Sequence, residues 1–485
     1  MKFIKLLFSL TVLITVFNCS SKEDNSYEET LSSENESQVT NLSIDTWTNY
    51  CGWHYSNQYQ PNWSGWVREF AKDGFGLNIT DTITNQLLET ELNNSFNKLT
   101  TLNTTKDVLQ LVGGLGSAKD TTKVKQWMNF IENDNASQWK NIVYQQSVKL
   151  TDLFDAKNRV YWQLGNEISS PSYSKTIRYW QGQSYSNGIA YDAFIIPYYV
   201  ENFLAPTIEA IDQASLDVYG EKGLIKICLG SLTNASSASA QSFLNQLLNY
   251  EIIGTNANSL TNKKVIDLIH LITIHYTAGT APTTEWKNIL NHYKDYSGIS
   301  RIEGVWSTEE VGIQTAIGNA GGIIGSLATF RYLEWAIENE YSSTEVRTNY
   351  YGWNTGTTTT TTNYFNTFLY DYLGDVKLKS IAKNSIEVSA NNSTEIHAFK
   401  TEDESKNLMS IYPERSQSQT TASIQSVVID KASVYLQNQI KAYIVNSNGI
   451  NPINFELSET ETQIEINFSN SVFLDYYSGI ILFID

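Results

Sequence analysis

An alternation runs through most of this chain and bounds its fold. Between residues 47 and 353, short runs rich in β-branched and aromatic residues are separated by longer polar or amphipathic stretches, eight times over. The runs fall at about 47–55, 75–79, 108–113, 159–167, 224–231, 268–276, 302–309 and 346–353, with helical patterns between them at 66–72, 191–211, 242–250 and 320–340. Parallel strands need long crossover connections, so such a repeat predicts an α/β architecture with a parallel sheet. Eight units predict that the sheet closes into a (β/α)8 TIM barrel. The competing open doubly wound sheet needs a phosphate-cradling glycine loop after its first strand. No G-x-G-x-x-G or G-x-x-x-x-G-K-[ST] occurs, and Gly113-Gly114-Leu115-Gly116 reads as a tight barrel turn.

From about Asp375 the pattern changes to closely spaced β-runs at 385–388, 395–400, 408–412, 426–429, 441–445, 463–468 and 480–484. Short strands with turn residues between them predict an antiparallel β-sandwich. The expected division is therefore a catalytic barrel over 45–372 and an accessory sandwich over 373–485. All 12 Trp lie between Trp47 and Trp353. A sandwich without Trp lacks the ring that best stacks on a sugar face, and reads as structural support. The threonine run at 357–362 reads as a loop on the barrel rim.

Charge narrows the partners. With 33 Lys+Arg against 51 Asp+Glu, the net charge of -18 repels polyanions, and a nucleic-acid binder needs a basic footprint. Nucleic acid is excluded. The abundance of Asn, Ser, Thr and Tyr suits a surface that hydrogen-bonds sugars, and suits equally the codon bias of an AT-rich genome.

Lys2 and Lys5 precede an apolar run at 6–17, too short to span a bilayer and right for a secretory signal. Val16-Phe17-Asn18-Cys19 resembles a bacterial lipoprotein box, with Asn18 where Gly or Ala is usual. Ser20-Ser21-Lys22-Glu23-Asp24 is similar to the acidic signals that send Bacteroidetes lipoproteins to the cell surface. These resemblances imply a signal peptide over 1–18, lipidation of Cys19, a flexible tether over 19–44 and a place at the outer membrane, a secreted or periplasmic protein being the alternative. Cys51 and Cys228 then remain, and read as buried thiols rather than a disulfide.

Barrel active sites lie at the carboxyl ends of the strands. Two acidic residues stand there, in Tyr161-Trp162-Gln163-Leu164-Gly165-Asn166-Glu167 and in Gly304-Val305-Trp306-Ser307-Thr308-Glu309-Glu310. Glycoside hydrolysis needs two carboxyl groups, one to protonate the leaving oxygen and one to attack or to activate water. The fourth and seventh strands face one another across a barrel mouth. Strand alternation lets only one of Glu309 and Glu310 face that mouth, and Glu309 is the expected one. Glu303, near Arg301 at the far end, reads as a structural charge.

The segment Trp162 to Glu167 resembles the acid/base segment of clan A glycoside hydrolases, in particular heparanase-like β-glucuronidases and β-xylosidases. Val305-Trp306-Ser307-Thr308-Glu309 is similar to their nucleophile strand, and Ile274-His275-Tyr276 to the His-x-Tyr or His-Tyr that closes their sixth strand. The resemblance implies that Glu167 is the general acid/base, Glu309 the nucleophile, Asn166 a ligand of the sugar 2-hydroxyl and Tyr276 an orienting partner of Glu309. It gives His275 a place at the site or in its wall, and makes Trp353 the subsite floor. Retention would set the carboxyl groups about 5–5.5 Å apart. Trp53 and His54, near the first strand end, are expected substrate contacts, with Tyr55, Trp63, Tyr173, Trp180 and Trp286 as further aromatics. Trp127, Trp139 and Trp335 are expected in the core.

The expected function is a retaining β-glycosidase acting on a carbohydrate, monomeric, touching the membrane only through its anchor. The alternative is a non-catalytic glycan-binding lipoprotein on the same barrel. No cofactor is implied. Five His, no H-E-x-x-H, and the pair His270 and His275 on opposite faces of one strand give no metal site. The lack of a Lys/Arg cluster at the strand ends favours a neutral glycan.

Overall fold

The computed structural model describes residues 45–54, 62–70, 106–112, 136–153, 156–169, 195–232, 237–275, 287–292, 301–309, 319–350, 361–414, 421–435, 439–446, 448–475 and 478–485. Eight strands form the barrel: β1 (Cys51–His54), β2 (Trp66–Phe70), β3 (Asp107–Val112), β4 (Val160–Leu164), β5 (Lys226–Leu229), β6 (Leu271–His275), β7 (Gly304–Glu309) and β8 (Val346–Tyr350). Neighbours pair in parallel in chain order, and β1 pairs with β8 to close the ring. β4 and β6 are buried along their whole length, as strands covered on both faces must be.

Two expectations are corrected here. Residues 47–50, expected to begin the first strand, form a helical turn, Trp47–Tyr50. Tertiary bonds decide this: the Trp47 backbone N–H donates to Val376 O at 3.0 Å and its indole Nε1 to Gly374 O at 2.8 Å. The second barrel strand is Trp66–Phe70, inside the stretch expected to be helical. Its charged Arg68 and Glu69 mimic a polar helix face in sequence, yet Arg68 is wholly buried inside the barrel. The run at 75–79 lies outside the described residues.

Aromatic rings plug the barrel. Trp66, Tyr161 and Trp306 cluster with Leu109, Cys228 and Leu271, with ring centroids 5.4 Å apart for Trp66 and Trp306 and 4.6 Å for Tyr161 and Trp306. Gly52 on β1 makes room, because a Cβ there would collide with the Trp66 ring. Beneath them Arg347 donates to Asp107 at 2.6 Å, and its guanidinium lies 4.6 Å from the Trp306 ring centroid. Cys51 and Cys228 are buried free thiols.

Helices cover the barrel at Ala136–Leu153, Ala205–Tyr219, Ala238–Leu248, Asn319–Glu338 and Thr361–Leu373. The first two are locked by Trp139, whose indole donates to Thr207 Oγ1 at 3.0 Å. Trp139 and Trp335 both sit in the core, as expected. Among the described residues no helix is long and apolar enough to cross a membrane.

The remaining strands are β9 (Leu378–Ser380), β10 (Ile386–Ala390), β11 (Thr394–Thr401), β12 (Asn407–Pro413), β13 (Ala422–Asp430), β14 (Ile440–Asn446), β15 (Gly449–Pro452), β16 (Phe455–Glu459), β17 (Gln463–Leu474) and β18 (Gly479–Ile484). They make two antiparallel sheets, β10-β13-β17-β16 and β15-β14-β18-β12-β11-β9, packed as a sandwich. In the larger sheet the central strands β12 and β18 are buried along their whole length. On β18, Ile480 and Leu482 join the sandwich core, while Ile481 and Phe483 join the barrel core. Phe483 lies 3.8 Å from the Tyr372 ring and 5.3 Å from that of Phe368, both on the helix Thr361–Leu373.

Candidate active site

The site is built where β4 runs out. Gly165 takes φ 94° and its N–H donates to Val112 O at 2.7 Å, while Ile168 N–H donates to Ser231 O at 3.0 Å. A Cβ on Gly165 would meet Ile168 Cγ2 at 2.8 Å. The turn is therefore held from β3 on one side and from beyond β5 on the other. Between these pins Glu167 adopts φ 52°, a left-handed backbone uncommon for any residue but glycine. Its side chain is 20% exposed.

Beneath the turn lies a layer of inward-facing polar side chains. Arg68 on β2 donates through Nε to Gln163 Oε1 at 3.1 Å, through Nη1 to Thr308 O at 3.1 Å and through Nη2 to Asn166 Oδ1 at 2.9 Å. One guanidinium thus ties together β2, β4, β7 and the turn. Gln163 donates through Nε2 to Gly165 O at 3.2 Å and to Ser231 Oγ. Thr273 Oγ1 donates to Leu229 O at 2.6 Å. Buried polar groups are as a rule hydrogen-bonded, and these five side chains meet that requirement through one another and the backbone.

His275, at the end of β6, is buried beside the turn. Its Nδ1 lies 3.4 Å from Glu167 Oε1 and its Nε2 3.1 Å from Thr308 Oγ1. His270 is a separate structural residue at the opposite end of the barrel. Its Nδ1 accepts from Ile227 N–H at 3.1 Å and its Nε2 lies 3.0 Å from Gly223 O. Burial, then the charges of Lys226 and Arg301, push its pKa down to about 3, so it stays neutral.

The pairing of β6 with β7 bears on the second carboxylate. Ile274 is opposite Ser307, but His275 is opposite Glu309, so Thr308 is an extra residue in the ladder. Simple alternation from the inward Trp306 and Thr308 would continue to Glu310. The one-residue shift instead gives Glu309 the register position opposite His275. Glu303 is ion-paired with Lys226 at the amino end of the barrel, as its expected structural role requires.

No family model and no curated protein sequence matches the chain. Similar solved structures include the catalytic domain of GH30 xylanase C from Talaromyces cellulolyticus, 13% identical over 90% of each chain with a TM-score of 0.41. A xyloglucanase of GH family 44 from Paenibacillus polymyxa is 10% identical over 91% of this chain and 96% of that one, with a TM-score of 0.42. A family 51 α-L-arabinofuranosidase from Bifidobacterium longum is 9% identical over 89% of this chain and 86% of that one, with a TM-score of 0.43. At such values a shared outline carries no activity with it.

Of the expected site residues, Asn166, Glu167 and His275 are brought together, and the backbone of Glu309 ends the facing strand. Trp53 is not brought to them. It is 4% exposed and packs edge-on against the buried Trp63 at 5.5 Å, because alternation along β1 turns it away from the inward Gly52. Tyr276, Trp353, Cys19 and the side chains of His54 and Glu309 lie outside the described residues, as do Glu310, Tyr55, Tyr173, Trp180, Trp286, Trp127, Gly113–Gly116 and residues 357–360. Among the described residues, no group of three His, Cys, Asp or Glu could hold a metal ion. Sequence reasoning missed Arg68, Gln163, Ser231 and Thr308. The period-two spacing of Trp66 and Arg68 was the available signal, and reading 66–70 as a strand would have found the arginine.

Proposed function

We propose that this chain is a retaining glycoside hydrolase that cleaves β-glycosidic bonds of a neutral glycan, with Glu167 as general acid/base and Glu309 as nucleophile. The observation that carries the reading is the backbone of Glu167. A glutamate held left-handed at the mouth of a barrel, pinned by bonds on both sides, is strain kept where a carboxyl group is wanted. Asn166 adds support: Arg68 engages its Oδ1, which leaves Nδ2 to donate to a sugar hydroxyl.

In this reading Glu167 protonates the leaving oxygen while Glu309 attacks the anomeric carbon. The glycosyl-enzyme is then hydrolysed by water, whose proton Glu167 removes. Replacing Glu309 with Gln removes the attacking oxygen and changes little volume. Hydrolysis of a panel of β-linked polysaccharides, followed by product sizing, should fall by several orders of magnitude in Glu309→Gln with the circular dichroism spectrum unchanged. Undiminished turnover in that variant overturns the assignment. Product anomers resolved by proton NMR should retain the substrate configuration.

A further inference from the structure

We propose that the hydroxyls of Thr308 and Ser231 form a relay that fixes the tautomer of His275, so that its Nδ1–H faces Glu167. The inference rests on the reading of Glu167 as acid/base and deepens it, making Thr308 and Ser231 positioning residues.

Hydrogen counting sets the direction. Arg68 Nε donates to Gln163 Oε1 at 3.1 Å, and Arg has no acceptor to offer, so the amide orientation of Gln163 is fixed. Gln163 Nε2 is then the donor to Gly165 O and to Ser231 Oγ. Ser231 Oγ has two further hydroxyl neighbours, Thr308 Oγ1 at 3.2 Å and Thr273 Oγ1 at 3.4 Å. The hydrogen of Thr273 is spent on Leu229 O at 2.6 Å. Ser231, already an acceptor from Gln163, sends its own hydrogen along the shorter contact to Thr308. Thr308 in turn has its hydrogen left for His275 Nε2 at 3.1 Å. A nitrogen that accepts carries no proton, so the neutral ring holds its proton on Nδ1.

The reverse direction is poorer at both ends. A proton on Nε2 would turn the hydrogen of Thr308 toward Ser231, and Ser231 could not pass its own on to Thr273, which is the donor in their 3.4 Å contact. It would also set the bare lone pair of Nδ1 against the Glu167 carboxylate, 3.4 Å away. Among the described residues, the charged groups nearest the ring are Glu167 on the turn after β4 and Arg68 on β2, which acts through Asn166, with the backbone of Glu309 opposite in the β7 register. Donation from Nδ1 to the ionised carboxylate favours the form of Glu167 that must take a proton from water in the second half of the reaction.

The test uses the full chain labelled with 15N-histidine. Two-bond nitrogen–hydrogen correlation spectra give the tautomer, and His275→Gln identifies which of the five His signals is lost. The wild type should show the Nδ1–H pattern. Thr308→Val should replace it with a tautomer mixture, Thr308→Ser should restore it, and Ser231→Ala should weaken it in the same direction. Loss of the donor bond raises the Glu167 pKa. The alkaline limb of kcat/KM should therefore move to higher pH in Thr308→Val, with kcat falling about tenfold, the worth of one hydrogen bond. A wild-type ring protonated on Nε2, or a Thr308→Val spectrum identical to wild type, overturns the relay even if hydrolysis is intact. A tautomer that follows Thr308 in a protein with no activity on any glycan upholds the relay and overturns the glycosidase reading instead.

Discussion

At φ 52° the Cβ of Glu167 crowds its own backbone, at a cost of roughly 1–2 kcal/mol for an L-residue. Asparagine tolerates this region better than glutamate. Glu167→Asn and Glu167→Ala both lose the carboxylate beside His275, so the asparagine variant should be the more stable of the two by about 0.5–1 kcal/mol, while hydrolysis drops by about 10²-fold or more in each if Glu167 plays the proposed proton-transfer role. Denaturant titration and turnover, measured side by side, check both halves. An asparagine variant no more stable than the alanine one removes the strain argument. The sequence marked Glu167 as a candidate because the proposed acid/base role needs a carboxylate at a strand end, next to Asn166. Arg68 was not legible: its signal is geometric, a charge whose described acceptors, Gln163, Asn166 and the Thr308 carbonyl, lie far away along the chain.

Strands of four to six residues carry little periodicity of their own, and that is where sequence reading of the elements succeeded or failed. β4, β6 and β7 were legible as short runs of β-branched and aromatic residues that open into polar ones. β2 was not, since Trp-Val-Arg-Glu-Phe fits a helix face as well as a strand until the barrel interior exists to receive Trp66 and Arg68. β9, β15 and β16 escaped for a different reason, being short or largely exposed and so lacking a buried stripe. The partnership of β1 and β2 can be tested directly. Gly52→Ala should destabilise the barrel by about 1–3 kcal/mol through overpacking against Trp66. Combining it with Trp66→Phe, which frees the space, should cost less than the sum of the single changes in chemical denaturation. Strict additivity would mean that the two residues do not compete for the same volume.

Among the described residues, the sandwich is fastened to the barrel by apolar burial and by a largely buried ionic cluster. Arg331 on the helix Asn319–Glu338 pairs with Glu395 on β11, and His397 bridges Glu334 at 2.5 Å and Glu395 at 3.0 Å. Burial opposes charge on His397, but its bonds to Glu334 and Glu395 outweigh burial and raise its pKa. Burial likewise opposes charge on Glu395, yet Arg331 and His397 hold its pKa down at about 2. A raised His contributes stability that is full below its unfolded pKa near 6.5 and is lost as pH rises through the folded value. The depressed Glu395 contributes above about 4.5 and is lost as pH falls toward 2. Between those limits His397→Ala should cost about 3–5 kcal/mol, and the gap from wild type should narrow as pH rises above 6.5. Thermal unfolding of both proteins across that range decides it, and a gap that widens with alkalinity would show the imidazole to be neutral.

β18 has one more consequence. It is the latest of the described strands in chain order, yet it lies in the interior of its sheet, between β12 and β14, and contributes side chains to two cores. Until it inserts, the inward faces of its neighbours and the helix Thr361–Leu373 lack the partners they pack against. A chain stalled before residue 479 would therefore hold an open seam rather than a nearly finished fold.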